Sequence, residues 1–246
     1  MARAAPVARV AMLAPMRPEL KPLVTMLKLE RVPLGDGFVH KGKIGDVEVL
    51  ATITGIGPPA GADTAERLLS AMQFDHLMVV GIAGGLGPVE IGDVIVPEVV
   101  IDMATKAEFR PSPLGDTVSR GNLLMSGVFD AALDSYTRFV DEGALAVDME
   151  TAAVAEVCER HGVPWSVFRG ISDRVRDGLI DQAEFGLARP DGSANMPAVA
   201  RYVLRRPWRV GRLAKLGKDI NLATNAAATA AIRSCKQHDA GQRPTA

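Results

Sequence analysis

Two cysteines in 246 residues, Cys158 and Cys235, are too few and too far apart for a disulfide framework. The four histidines, His40, His76, His161 and His238, have no ligand spacing with one another or with the cysteines, so no structural zinc motif is present. No apolar run reaches the roughly 18 residues that a membrane-spanning helix needs. The opening MARAAPVARVAMLAP lacks a long uninterrupted apolar stretch and runs straight into a strand-like pattern, so no signal peptide and a cytoplasmic location are expected. Internal repeats and low-complexity blocks are absent as well. These absences leave an ordinary globular protein, and a hydrophobic content of 48% is ample for a folded core.

The net charge of −1 conceals an uneven distribution. Residues 1–200 carry 18 basic and 27 acidic side chains, whereas residues 201–246 carry ten and two. An acidic body argues against a general nucleic-acid-binding surface, and the basic charge is confined to the C-terminal part. The expected organisation is one α/β domain over 1–200, followed by a basic helical extension over 201–246 with a disordered end.

Hydrophobic periodicity outlines the body. Val7–Ala14 reads as a buried strand, and Glu19–Leu29 has helical spacing in Leu20, Leu23, Val24 and Leu27. Gly37–Ile44 and Val47–Thr54 form a predicted hairpin around Gly45-Asp46. Ala60–Met72 reads as a helix, then Leu77–Val80, Val94–Val96 and Val99–Ile101 as strands, with residues 102–122 as loop. Phe129–Val140 has helical character, Leu145–Val147 reads as a strand, Glu150–His161 as a helix and Trp165–Arg169 as a strand. Alternating helices and doubly apolar strands favour a mixed, mostly parallel central sheet flanked by helices in a three-layer α/β/α arrangement.

Four segments have the residue types for chemistry, and each also has a plain structural reading. Gly81-Ile82-Ala83-Gly84-Gly85-Leu86-Gly87 lets a ligand approach closely, or is simply a glycine-rich strand-to-strand turn. It is not G-x-G-x-x-G, and a strand pattern follows it, so dinucleotide and P-loop sites are excluded. Ala146-Val147-Asp148-Met149-Glu150 feeds an alanine-rich helix, where Glu150 would also suit the helix dipole and Met149 the core. Phe168-Arg169-Gly170-Ile171-Ser172-Asp173 ends a strand, and either Ser172 or Asp173 would serve as a helix N-cap. Met16-Arg17-Pro18-Glu19 places Glu19 in a first helical turn. Glu19, Glu150 and Asp173 each follow the C-terminal end of a different predicted strand, where open α/β sheets collect ligands. Three carboxylates meeting in one dry cleft would repel, leaving at least one protonated near neutral pH.

Taken together, TGIG (Thr54–Gly57), VGIAGGLG (Val80–Gly87) with GDVIVP (Gly92–Pro97), AVDMETAAVAEVC (Ala146–Cys158) and FRGISD (Phe168–Asp173) resemble the nucleoside phosphorylase/nucleosidase superfamily, most nearly its 5'-methylthioadenosine/S-adenosylhomocysteine nucleosidase branch. The resemblance runs in order over roughly residues 7–175. It implies a hydrolase that cleaves the N-glycosidic bond of an adenine nucleoside with a modified 5' position, as in nucleoside catabolism and methionine salvage. Glu19 would be the general base for water, and Asp173 the acid that protonates purine N7. Glu150 and Met149 would hold the ribose, while Ser172, Ala83 and Gly84 would line the base. Phe129 would stack on the base, although a core phenylalanine fits that position equally well. No metal or organic cofactor is implied, and a homodimer is expected.

The phosphorylases of this superfamily resemble one another in an arginine and a serine on phosphate, at positions occupied here by Val79 and Ile82. Water is therefore the expected nucleophile and phosphorolysis the alternative. A non-catalytic nucleoside-binding protein is the reading from a different class. Two departures from the nucleosidase pattern are Asp148 where a glutamate is usual and Pro58-Pro59 where Lys-Val is usual. The segment 201–218 carries seven basic residues and no acid. It predicts either a helix docked on the acidic body or weak contact with an anionic membrane surface, the latter suiting a lipid-linked (hopanoid-type) adenosyl substrate.

Overall fold

A computed structural model of the protein describes residues 9–35, 37–127, 136–175 and 210–242, with isolated positions at 195, 197 and 201. β1 (Arg9–Ala14) leads into α1 (Arg17–Leu27), then β2 (Glu30–Leu34), β3 (Gly37–Ile44) and β4 (Val47–Ile53). Next come α2 (Pro58–Ala71), β5 (His76–Gly85), β6 (Val94–Ile95), β7 (Val99–Asp102), β8 (Glu108–Phe109) and β9 (Asn122–Met125). The body closes with α3 (Thr137–Asp141), β10 (Ala144–Asp148), α4 (Thr151–His161) and β11 (Trp165–Arg174), before the long α5 (Val210–Gln242).

All the described strands join one sheet in the order β2-β3-β4-β1-β5-β10-β9-β7-β8, with β11 paired to β5 and β6. The centre is parallel: β1 pairs with β4 and β5, and β11 pairs with β5 over most of its length. Antiparallel pairs form at the edges, as in β2–β3, β3–β4 and β7–β8, and once in the middle, where β10 runs against the end of β5. The expected mixed sheet between helices is what forms.

β1 shows why. Its residues are buried on both faces: Ala11 and Leu13 join a core with Leu68 of α2 and Val154 of α4, while Val10, Met12 and Ala14 join a core with Leu20 of α1 and Ala227 of α5. A side-chain period of two thus feeds two helical layers from one strand. Helix α5 supplies Ala227, Ala228, Ala231 and Cys235 to this second core. The small side chains let it lie close to the sheet, and a Cβ on Gly170 would run into the backbone of Ala223. Of the basic segment 201–218, residues 202–209 lie outside the described residues.

Several element boundaries differ from the sequence reading. β5 does not stop at Val80 but runs through Gly85, so the glycine-rich segment is largely strand. β11 likewise continues to Arg174, and Asp173 lies within it. β2, β8 and β9 were not anticipated. Of the predicted helix Phe129–Val140, residues 129–135 lie outside the described residues, and α3 begins at Thr137.

Candidate active site

The site is built where β5, β10 and β11 end beside the first turns of α1, α2 and α4. Its centre is Arg169, whose side chain is wholly buried in β11 and paired in register with Gly81 of β5. Its Nη2 lies 2.5 Å from Asp148 Oδ2 and 3.4 Å from Glu150 Oε2, and it donates to Thr151 Oγ1 at 3.1 Å. Nη1 lies 3.7 Å from Glu19 Oε1. Glu19 and Glu150 therefore do converge, from α1 and from the mouth of α4, around a cation that the sequence reading had not assigned.

Backbone groups fix both glutamates. Glu19 Oε1 accepts the Ile82 N–H at 2.7 Å, and Glu150 Oε1 accepts the Gly57 N–H at 2.8 Å. Pro58 and Pro59 open α2 without N–H groups, so the Gly57 N–H remains as a donor at that helix mouth. Gly81 explains how an arginine and a glutamate fit against the strand: a Cβ there would overlap Glu19 Oε1 and Arg169 Nη1. Glu19 Oε2, Arg169 Nε and Arg169 Nη1 have no hydrogen-bond partner among the described residues. Buried polar atoms of this kind mark a place where a polar ligand would be held.

Asp173 lies farther along the same pair of strands. The register of β11 against β5 shifts between Ile171 and Asp173, so Asp173 pairs with Gly84. Without this irregularity Asp173 would share a face with Arg169 and Ile171, and the extra residue re-aims it. The Ser172 hydroxyl donates to Asp173 Oδ1 at 2.6 Å and is 3.5 Å from the Ala83 carbonyl. Gly81 and Gly84 are three residues apart on one strand, so Glu19 and Asp173 touch β5 roughly 10 Å apart at the usual rise per residue. Met149 is half-buried between Asp148 and Glu150. Phe129 lies outside the described residues.

Three buried carboxyls face one guanidinium, and for Glu19 and Glu150 burial sets the protonation. Desolvation pushes Glu19 from its ordinary value of 4.5 up to about 8; Arg169 and the Ile82 N–H oppose the rise, and Glu150 adds to it. Desolvation pushes Glu150 up to about 7, again against Arg169, with Asp148 adding to the rise. Asp173 is also raised by burial, with Ser172 pulling the other way. Glu19 and Glu150 thus keep their protons near neutral pH, and burial moves Asp173 in the same direction. Among the described residues no group of three or more His, Cys, Asp and Glu is arranged to hold a metal ion.

These shifts predict the pH dependence of stability. The folded protein binds protons at Glu19 and Glu150 more tightly than the unfolded chain. Their contribution is therefore complete below pH 4.5 and is lost as pH rises through about 7 and about 8. His76, buried against Ser166 Oγ at 3.0 Å, behaves oppositely: burial, helped by His238, lowers it from 6.5 to about 4. Its contribution is complete above 6.5 and is lost as pH falls toward 4. Between pH 6.5 and 8 the carboxyls act alone. The melting temperature of the ligand-free protein should rise as buffer is taken from pH 8 to 6.5 and turn over only near pH 4.5, where the glutamates' contribution is complete and His76 is still losing its own, and Glu19→Gln should flatten the upper limb. A melting temperature that climbs with pH across that interval contradicts these protonation states.

Arg169, Asp148 and Thr151 were given no role from sequence, although Asp148 stood out as a departure from the nucleosidase pattern. One signal was available: an arginine inside an otherwise apolar strand pattern, Trp165-Ser-Val-Phe-Arg-Gly-Ile, must find buried partners.

At 29% identity over 198 residues, covering 67% of this chain and 84% of the relative, the protein is similar to the 5'-methylthioadenosine/S-adenosylhomocysteine nucleosidase of Chromohalobacter salexigens. It is 26% identical over 198 residues to the aminodeoxyfutalosine nucleosidase of Helicobacter pylori strain J99, covering 68% and 86%. Among solved structures, a Neisseria meningitidis 5'-methylthioadenosine/S-adenosylhomocysteine nucleosidase superposes with TM-score 0.70 at 17% identity, covering 94% of this chain and 99% of the other. The native futalosine hydrolase of H. pylori strain 26695 gives 0.67 at 20% identity, covering 93% and 97%. At such identities the structural likeness speaks for the fold alone. The profile of the phosphorylase superfamily matches residues 9–138 and 125–205. With that match spanning well over half of its length, the chain belongs to the phosphorylase superfamily.

Proposed function

We propose that the protein hydrolyses the N-glycosidic bond of an adenine nucleoside with a modified 5' position and releases the free base. The observation that carries this reading is the buried Glu19–Arg169–Glu150 cluster at the end of the same strand pair that presents Asp173. Cleavage of the C1'–N9 bond leaves a ribosyl-cation-like centre and an electron-rich purine. The purine departs readily only when N7 is protonated, and Asp173, held above its ordinary range, is the donor. Glu150 accepts the ribose hydroxyls and, with Met149 beside it, sets the sugar below the base. Glu19 takes a proton from the attacking water once it has itself been deprotonated, in the manner of the paired carboxylates of glycoside hydrolysis. Ser172, Ala83 and Gly84 border the base.

Water is favoured over phosphate on charge. Arg169 is the only buried lysine or arginine among the described residues, and it already faces three carboxyls. A phosphate dianion would enter without a counter-charge, at high desolvation cost. The names of the C. salexigens and H. pylori relatives, both nucleosidases, point the same way. The test is a panel of adenine nucleosides differing at the 5' position, assayed for free adenine with and without added phosphate. Release from at least one member, independent of phosphate, is expected. Strict phosphate dependence would indicate phosphorolysis, and tight binding with no base formed would indicate a non-catalytic binding protein.

A further inference from the structure

Asp148 is the one acid of the buried cluster that the reaction above does not use. It ends β10, and its two oxygens have separate tasks. Oδ2 lies 2.5 Å from Arg169 Nη2 and also accepts the Thr151 hydroxyl, while Arg169 Nη2 donates to Thr151 Oγ1 at 3.1 Å. Guanidinium, carboxylate and hydroxyl therefore close a triangle in which the hydroxyl both donates and accepts. Oδ1 faces the N–H groups of Glu150 and Thr151 at 3.4 and 3.3 Å, the position of a helix cap. Glu150 itself occupies the N-cap position of α4 but makes no side-chain cap there. The capping role passes to Asp148, and the Glu150 carboxyl is left to turn toward Gly57 and Arg169.

We propose that Asp148, together with Thr151, is the positioning pair of this site, holding the Arg169 guanidinium between Glu19 and Glu150 and anchoring the first turn of α4 so that the Glu150 carboxyl points inward. This inference rests on the nucleosidase reading for its kinetic consequences but not for its geometry. The two residues belong together. Asp148 Oδ2 reaches Nη2 directly, and the Thr151 hydroxyl adds a second link between the same two groups. The charged groups that bear on the pair are Arg169 from β11, Glu19 from α1 and Glu150 at the mouth of α4. Neutralising Asp148 leaves Arg169 to Glu19 and Glu150 alone, so both give up their protons more readily.

The experiment uses the full chain and three variants, Asp148→Asn, Thr151→Val and Thr151→Ser. Asp148→Asn should lower kcat by about 10²-fold with little change in KM, the scale expected when a reacting group is displaced by an ångström. The acid limb of kcat/KM, which reports the free enzyme, should move to lower pH in the same variant. Thr151→Val should show both effects to a smaller degree, and Thr151→Ser should return toward wild type. Should Asp148→Asn fail to fold, the two threonine variants decide alone. A rise in KM with kcat unchanged would make Asp148 a substrate contact and overturn the proposal, as would unaltered kinetics and pH profile.

A second readout needs no nucleoside. The fall of melting temperature between pH 6.5 and 8 should be shallower in Asp148→Asn than in wild type, because Glu19 and Glu150 then retain fewer protons. If no nucleoside is cleaved by the wild type but this slope changes as stated, the nucleosidase reading fails and the positioning role stands. If cleavage occurs and the slope is unchanged, the positioning role fails by itself.

Discussion

Asp173→Asn should reduce release of the free base by about 10²–10⁴-fold, the usual contribution of one general acid–base step. The substitution keeps the size of the side chain and an acceptor for the Ser172 hydroxyl, which donates to Asp173 Oδ1 at 2.6 Å. It removes only the transferable proton. Nucleoside binding should therefore persist, and a complex that binds without turning over separates loss of chemistry from loss of fold. The loss should be smaller for purine analogues whose bases depart without protonation at N7. Near-wild-type turnover in this variant would mean that the leaving purine is protonated by another group.

The largest effect on stability should come from Arg169→Met. The methionine fills much of the same space, but Glu19, Asp148 and Glu150 lose their common cation while remaining buried. Removing one partner of a buried ionic cluster costs about 3–5 kcal/mol, because the remaining charge is left uncompensated. Glu19 and Glu150, which Arg169 otherwise pulls down, respond by holding their protons still more tightly, so the destabilisation should be greater at pH 8 than at pH 6. Adding Glu19→Gln should recover part of the loss at the higher pH. Lysine should not replace the arginine, since a single ammonium cannot reproduce a planar fork shared among three carboxyls and a threonine. Thermal denaturation of the single and double variants at the two pH values measures all of this. A variant as stable as wild type at both would mean that Arg169 does not compensate the cluster.

How much of this was legible beforehand depended on range. β1, β3 and β4 follow from local alternation and from the Gly45-Asp46 turn, so their limits nearly match the sequence reading. β9 has four residues and is defined by parallel neighbours on both sides, β7 and β10, which no local pattern announces. β2 contains Pro33, which demotes it by every strand rule, yet it survives at the sheet edge where the missing N–H is tolerated. Gly81–Gly85 read as a turn because glycines weaken strands. It is a strand because β10 and β11 pair with it and because Gly81 must leave room for Glu19 and Arg169.

The site divides in the same way. Glu19 and Glu150 were legible because each stands at a strand-to-helix junction, and the structure brings both to one guanidinium. Arg169 was not, because its significance depends on three partners 150, 21 and 19 positions away in sequence, counted from Glu19, Asp148 and Glu150. The pairing of Asp148 with Thr151 has the same cause: a short acid three residues before the first helical residue looks like a cap, and only the fold places Arg169 on its other oxygen.

In the proposed reaction this buried carboxyl–arginine cluster directs water to C1' of a nucleoside. Cleavage of a 5'-modified adenine nucleoside in isotopically labelled water, without phosphate, tests it most directly. Free adenine and one labelled oxygen on C1' of the released sugar are the expected products. Absence of label in the sugar despite adenine release, or formation of a sugar phosphate in its place, would contradict it.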